Sequence, residues 1–117
     1  TLGARENGTD VMYYRNIPAG PYDMVFIDGP SVIIGRKQFP GADALHLIDR
    51  SDHPMDLIFD RRIQTLNYTS KWITADVTYD PALKIGVIAS ATKSLVTSRE
   101  RHHTLKLGSA LDRLGLN

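Results

Sequence analysis

The sequence predicts a single α/β domain with a mostly parallel sheet that closes in an antiparallel hairpin. Two apolar runs, residues 22–27 and 55–59, are bounded by turn residues and separated by a helical pattern. Strands joined in this way form parallel pairs through a right-handed crossover. A third observation is the short turn at residues 80–82, which joins the last two strand-like segments. The 117 residues fit the usual size of one domain.

The first half of the chain contains two predicted strands. Residues 10–15 (DVMYYR) have a composition that favours a short strand, and a turn-rich segment, residues 16–21, follows it. Residues 22–27 (YDMVFI) form a continuous apolar run, which is typical of a strand buried on both faces of a parallel sheet. The turn Asp28-Gly29-Pro30 ends this strand abruptly.

The second half alternates helix and strand. Residues 31–40 read as a loop, residues 42–49 as a helix, residues 55–59 as a strand that finishes in Asp60, and residues 61–72 as an amphipathic helix. The segments 74–79 and 83–89 are predicted to be antiparallel neighbours, because a parallel return needs a dozen or more residues. From about residue 90 to residue 117 we expect a polar C-terminal tail.

Composition limits the classes of function. The net charge of +1 gives no electrostatic drive toward nucleic acid or an anionic membrane. The chain contains no cysteine, which suits a reducing compartment, and no apolar run approaches the ~20 residues that span a bilayer. We therefore expect a cytoplasmic protein whose function has to be inferred from local sites rather than from its overall charge. The first residue is not methionine, so the chain is expected to be a trimmed form or a piece of a longer polypeptide.

The succession of elements, with a strand that ends in Phe26-Ile27-Asp28-Gly29-Pro30, resembles the C-terminal half of class I S-adenosylmethionine-dependent methyltransferases. The likeness covers roughly residues 10–89. It implies a Rossmann-like fragment with three layers that methylates a small molecule, with S-adenosylmethionine as the cofactor and, in one branch of the family, a divalent cation. The family's glycine-rich cofactor loop and its ribose-binding acid have no counterpart in these residues.

Asp28 is the first candidate for a catalytic residue. Ligands of open α/β sheets bind outside the carboxyl ends of the strands, where the predicted strand delivers this acid. The resemblance implies that Asp28, Gly29 and Pro30 lie beside the cofactor and that Asp28 orients the acceptor. The alternative is that Asp28 only forms a turn, since Asp-Gly is a common turn pair.

Asp60, at the end of the neighbouring strand, is the second catalytic candidate. Two carboxylates on adjacent strand ends could share a hard cation such as Mg²⁺. Helix capping by Asp60 is the favoured alternative, because an acid at a helix start satisfies otherwise unpaired N–H groups. A third possibility is an enzyme of another kind that uses Asp28 and Asp60 with a metal ion.

Two histidines and the aromatic residues are weaker candidates. His46 and His53 flank Asp49 and Asp52, but their spacing fits no defined metal site, and His46 is expected to be a partly exposed helix residue. Core packing is the favoured role of the aromatic side chains, which are Tyr13, Tyr14, Trp72 and Tyr79. The alternative to an enzyme is a non-catalytic scaffold that forms a homodimer through the exposed edge of a truncated sheet.

Overall fold

The computed structural model describes residues 2–18, 20–28, 32–34 and 37–97. The strands in this part of the chain are β1 (Leu2–Glu6), β2 (Thr9–Tyr13), β3 (Met24–Ile27), β4 (Val32–Ile34), β5 (Lys37–Phe39), β6 (Met55–Asp60), β7 (Val77–Asp80) and β8 (Ile85–Ala91). The helices are α1 (Asp43–Asp49) and α2 (Ile63–Lys71), and a short 3₁₀ turn, Lys93–Leu95, follows β8. Neither helix is long and apolar enough to cross a membrane.

Four strands form the main sheet, in the order β3-β6-β8-β7. β3 and β6 are parallel, as their connection through α1 predicts. β8 lies antiparallel to both β6 and β7, so the predicted closing hairpin is confirmed. The pairs β1-β2 and β4-β5 form two separate antiparallel hairpins.

The prediction of a three-layer Rossmann-like fold with a mostly parallel sheet is wrong. Only the β3-β6 pairing is parallel among the described strands, and the two helices are the only α-helices there. Burial alternates along β6, where Met55, Leu57 and Phe59 are buried while Asp56 is exposed. A strand covered on both faces would not alternate in this way. The structure is therefore a small mixed sheet with its core on one face.

The strand that the sequence predicts to be buried on both faces, β3, is also covered on one face only. Val25 and Ile27 face the core, whereas Met24 is 58% exposed and Phe26 is 56% exposed. β3 is also an outer strand of the described sheet. The apolar run therefore predicts the presence of a strand correctly, but it does not show how many faces of that strand are covered.

The two small hairpins were not predicted from the sequence. Residues 2–8 read as a polar lead-in and residues 31–40 as a loop, yet both contribute strands. At the β1-β2 turn, Asn7 has φ 51° and Gly8 has φ 76°, both in the left-handed region. Asn-Gly is strongly preferred in a two-residue hairpin turn of this kind. Such a turn matches the twist of the two flanking strands only when both turn residues have positive φ.

The core is one cluster that joins the main sheet, the β1-β2 hairpin and both helices. α2 lies against β8, where a Cβ atom on Gly86 would come within 2.5 Å of Leu66 Cδ2. The predicted tail begins later than residue 90, because Ile73 and Val96 form a β-bridge beyond the end of β8. The rest of the predicted tail, residues 98–117, lies outside the described residues.

Candidate functional site

A cavity of about 520 Å³ lies along β3 and reaches its carboxyl end. α1, β3 and the segment that precedes β3 all contribute to its walls, which are mainly apolar and aromatic. Ligand pockets in proteins have volumes of about 300–1,000 Å³ and similar walls with a few polar groups. Two acids, Asp28 and Asp43, are among the lining residues. We call this feature the β3 cavity.

Asp28 lies where the sequence predicts, directly after the last residue of β3 and on the wall of the β3 cavity. Arg62, which follows β6, donates a hydrogen bond from Nη2 to the backbone oxygen of Asp28 at 2.7 Å. The same nitrogen lies 3.4 Å from Asp28 Oδ1. The Asp28 side chain is 64% exposed, so this ion pair leaves the carboxylate accessible. Gly29 and Pro30, the predicted cofactor-contacting neighbours, lie outside the described residues.

Asp60 is the last residue of β6, at the same edge as Asp28, because Ile27 and Phe59 are partners in the parallel ladder. Asp60 is not among the residues that line the β3 cavity, and its ion-pair neighbour is Arg61, with Oδ1 and Nε 3.9 Å apart. The expectation that Asp60 caps the next helix is wrong. The N-cap residue of α2 is Arg62 rather than Asp60, and this N-cap shows no side-chain capping hydrogen bond among the described residues.

The shared cation site at Asp28 and Asp60 remains a prediction. In the part of the chain that the structure describes, no three residues of the types His, Cys, Asp or Glu come together in a group that could hold a metal ion. Asp28 is partnered by a guanidinium instead.

Asp43 is the member of the β3 cavity that the sequence did not reveal. It occupies the first turn of α1, and its Oδ1 accepts a hydrogen bond from the backbone N–H of Tyr14 at 2.9 Å. Its Oδ2 is buried and has no hydrogen-bond partner among the described residues. Burial is the main influence on this carboxyl and raises its pKa, while the Tyr14 N–H and nearby His46 act in the opposite direction. The predicted helix placed Asp43 correctly, but only the fold brings Tyr14 to it across 29 residues.

A second buried carboxylate lies in a different setting, in what we call the Glu6 cluster (Glu6, His46 and Tyr68). Glu6 Oε1 accepts a hydrogen bond from the Tyr68 hydroxyl at 2.5 Å, and Glu6 Oε2 lies 2.6 Å from His46 Nε2. All three residues are buried. The Tyr13 ring packs edge-on against the His46 ring, with the centroids 5.3 Å apart. These contacts join β1, α1 and α2.

The two histidines are therefore placed differently from the sequence-based expectation. His46 is 5% exposed rather than partly exposed, and it contacts Glu6 from β1. His53 contacts Asp23 at the residue before β3. The aromatic residues divide as well, because Tyr13 is in the core whereas Tyr14 is 46% exposed and lines the β3 cavity.

Comparisons of the chain with models of protein families, with curated proteins and with solved structures found no match. The arrangement of the described residues is therefore the basis for a functional assignment. That arrangement contains one cavity with two acids on its wall and one closed buried cluster.

Proposed function

We propose that this chain is an S-adenosylmethionine-dependent methyltransferase, or part of one, that acts on a small molecule. The observation that carries the proposal is the position of Asp28, which follows a parallel strand and lines a cavity of about 520 Å³. The carboxyl ends of parallel strands are where open α/β sheets bind ligands. We place the activity in the cytoplasm, in keeping with a chain that contains no cysteine.

The order of the elements after β3 also supports the proposal. After the small β4-β5 hairpin, α1, β6 and α2 follow in turn, and β7 and β8 close the sheet as an antiparallel pair. Apart from that hairpin, the succession agrees with the one on which the resemblance to the methyltransferases rests. The three-layer fold is not needed for the proposal, because it depends on the sheet edge at Asp28.

The chemistry divides between the cofactor and the chain. When bound, S-adenosylmethionine would supply a sulfonium methyl group: the new bond forms between the acceptor and the methyl carbon, and the electrons of the broken carbon–sulfur bond stay on sulfur. Asp28 would orient the acceptor, and Arg62 would hold Asp28 through its backbone oxygen and its carboxylate. Asp60 would act from the neighbouring strand end, with Gly29 and Pro30 beside the cofactor. These residues would form only the part of the site around Asp28, because the glycine-rich cofactor loop has no counterpart in this sequence.

Calorimetric titration of the 117-residue chain with S-adenosylmethionine and S-adenosylhomocysteine tests the proposal. We expect binding that Asp28→Asn weakens by about 10-fold, the effect of removing one hydrogen bond to a charged group. Asp76→Asn is the matched control, because Asp76 is exposed and lies outside the β3 cavity. Absence of binding heat for both compounds, with and without Mg²⁺, would overturn the proposal.

The alternative function is a scaffold that forms a homodimer through β3. The exposed side chains of Met24 and Phe26 on this outer strand favour it, because bare strand edges tend to pair with another chain. Light scattering after gel filtration measures the oligomeric state. If the edge pairs, Phe26→Lys should give a monomer while Tyr79→Lys, on the opposite outer strand, should remain a dimer. A wild-type monomer at high concentration would overturn the alternative.

A further inference from the structure

We propose that the β3 cavity binds a small primary amine with an aromatic or aliphatic body, and that the Asp43 carboxylate holds its ammonium group. The inference rests on the proposed function in one respect, since it takes this amine as the methyl acceptor. The bound ammonium group would first lose one proton to water, and the nitrogen lone pair would then form the bond to the methyl carbon. Binding of the amine itself requires no cofactor. The two proposals can therefore fail separately.

The hydrogen bonding of Asp43 is the first support. One carboxylate oxygen is held by the Tyr14 N–H, while the other is buried and has no donor among the described residues. A buried acceptor without a donor is costly, by about 1–3 kcal/mol and more for a charged group. Because Oδ2 is closed to solvent, the Asp43 side chain has to turn toward the cavity before an ammonium group can donate to this atom. The ammonium group then brings up to three N–H donors and a compensating charge.

The charge of the cavity wall is the second support. Asp28 and Asp43 both line the cavity, and no lysine, arginine or histidine is among its lining residues in the described part of the chain. Arg62 offsets the charge of Asp28 at 3.4 Å. Asp43, by contrast, forms no ion pair within 4.0 Å among the described residues, although His46 and Arg50 act on its charge from farther away. A ligand carboxylate or phosphate would meet repulsion here, so the wall selects for a cation.

The rest of the wall indicates what the amine is attached to. Ile17, Val25 and Leu47 supply aliphatic surface, and Tyr14 and Phe26 supply aromatic rings. Apolar walls of this kind bury a hydrocarbon body, and aromatic faces also attract cations. A hydrophilic polyamine would leave these walls unused. The chemistry therefore points to an amine with a compact hydrocarbon group.

The test compares three probes of nearly equal shape on the isotope-labelled 117-residue chain at neutral pH. The probes are phenethylamine, phenethyl alcohol and hydrocinnamate, which carry a cationic, a neutral and an anionic head group. Amide NMR spectra should show saturable shifts for phenethylamine at Tyr14, Ala44 and Leu47, which line the cavity. We expect the alcohol to bind about 10-fold more weakly than the amine and the acid to produce no shifts at these residues.

Asp43→Asn should weaken phenethylamine binding by about 10-fold or more, because it removes the charge that the ammonium group meets. Asp52→Asn changes the net charge equally and is the matched control, since the Asp52 side chain is 98% exposed. Equal binding of the three probes, shifts confined to other residues, or no effect of Asp43→Asn would each overturn the inference. The probe series on the wild-type chain decides the question even if Asp43→Asn does not fold.

Discussion

The Glu6 cluster and the β3 cavity each contain a carboxylate that belongs to α1 or contacts it, and the two carboxylates differ in how many of their oxygens have hydrogen-bond partners. Both oxygens of Glu6 are engaged, by the Tyr68 hydroxyl and the His46 ring. Asp43 lies one helical turn before His46 on the same helix, yet one of its oxygens has no hydrogen-bond partner among the described residues. A fully partnered buried acid holds elements together, whereas an incompletely partnered one at a cavity wall is suited to a ligand. One helix thus serves stability at His46 and, we infer, binding at Asp43.

The largest effect on stability is expected from Glu6→Ala, which removes the fully partnered carboxylate. The substitution removes a hydrogen-bond partner from both the Tyr68 hydroxyl and the His46 ring, and each such loss at a buried polar group costs about 1–3 kcal/mol. Urea denaturation should show this loss in the free energy of unfolding. Asp52→Ala is the control and should change that free energy by about 0.5 kcal/mol or less, as exposed positions usually do. A loss below 1 kcal/mol for Glu6→Ala, about that of an average substitution, would contradict the role of the Glu6 cluster.

Gly86→Ala should have the next largest effect, since it tests how firmly α2 is seated on the sheet. The added methyl group would lie 2.5 Å from Leu66 Cδ2, and overpacking of this kind costs about 1–3 kcal/mol. The double variant Gly86→Ala with Leu66→Val should lose less than the sum of the two single variants, because the second change removes the obstructing methyl. Additive losses in urea denaturation would indicate that Leu66 is not the obstacle.

Asp43→Asn tests the incompletely partnered carboxylate, through the pH dependence of the free energy of unfolding. Burial raises the pKa of Asp43 in the folded chain, so the folded state binds the proton more tightly than the unfolded state. Wild-type stability should therefore fall relative to Asp43→Asn as the pH rises from the ordinary aspartate value, about 3.9, through the raised pKa. Urea denaturation across this range measures the difference in the free energy of unfolding between the two chains. Above the raised pKa of Asp43, this difference should be constant up to neutral pH. A difference that does not vary with pH would contradict the burial of this carboxyl.

The smallest effect on stability is expected from Phe26→Ala, on the uncovered face of the sheet. Phe26 is 56% exposed, and its loss should cost about 0.5 kcal/mol or less. The same substitution at Phe59, which is 1% exposed on the neighbouring strand, should cost about 3–5 kcal/mol. Thermal or urea unfolding of the two variants compares the two faces directly. Similar losses would mean that both faces of the sheet are covered.

Local patterns predicted much of the framework. α1, β6, α2 and the β7-β8 hairpin lie close to their predicted positions, because helical periodicity and a short turn are encoded within a few residues. The number of covered faces was not encoded in this way. It depends on which elements lie against the sheet, and the apolar run of β3 is compatible with either arrangement.

The candidate site could be predicted only in part, for a related reason. Asp28 was found from its position after a strand, which is a local feature. The roles of Asp43 and Glu6 arise from partners that are distant in the sequence, since Tyr14 is 29 residues from Asp43 and Tyr68 is 62 residues from Glu6. The β1-β2 hairpin was missed, although Asn7-Gly8, the pair at its turn, is a local signal for a hairpin of this kind.

The long sequence separations in the Glu6 cluster also set an order of events in folding. His46 and Tyr68 are 40 and 62 residues from Glu6 in the sequence. Forming these contacts closes long loops, and the entropic cost of closing a loop grows with its length. The parallel and antiparallel strands around β6 have nearer partners and can form first. We therefore expect Glu6 substitutions to accelerate unfolding while they leave the rate of refolding nearly unchanged. On this expectation, the hairpin at the start of the chain joins the core last and leaves it first.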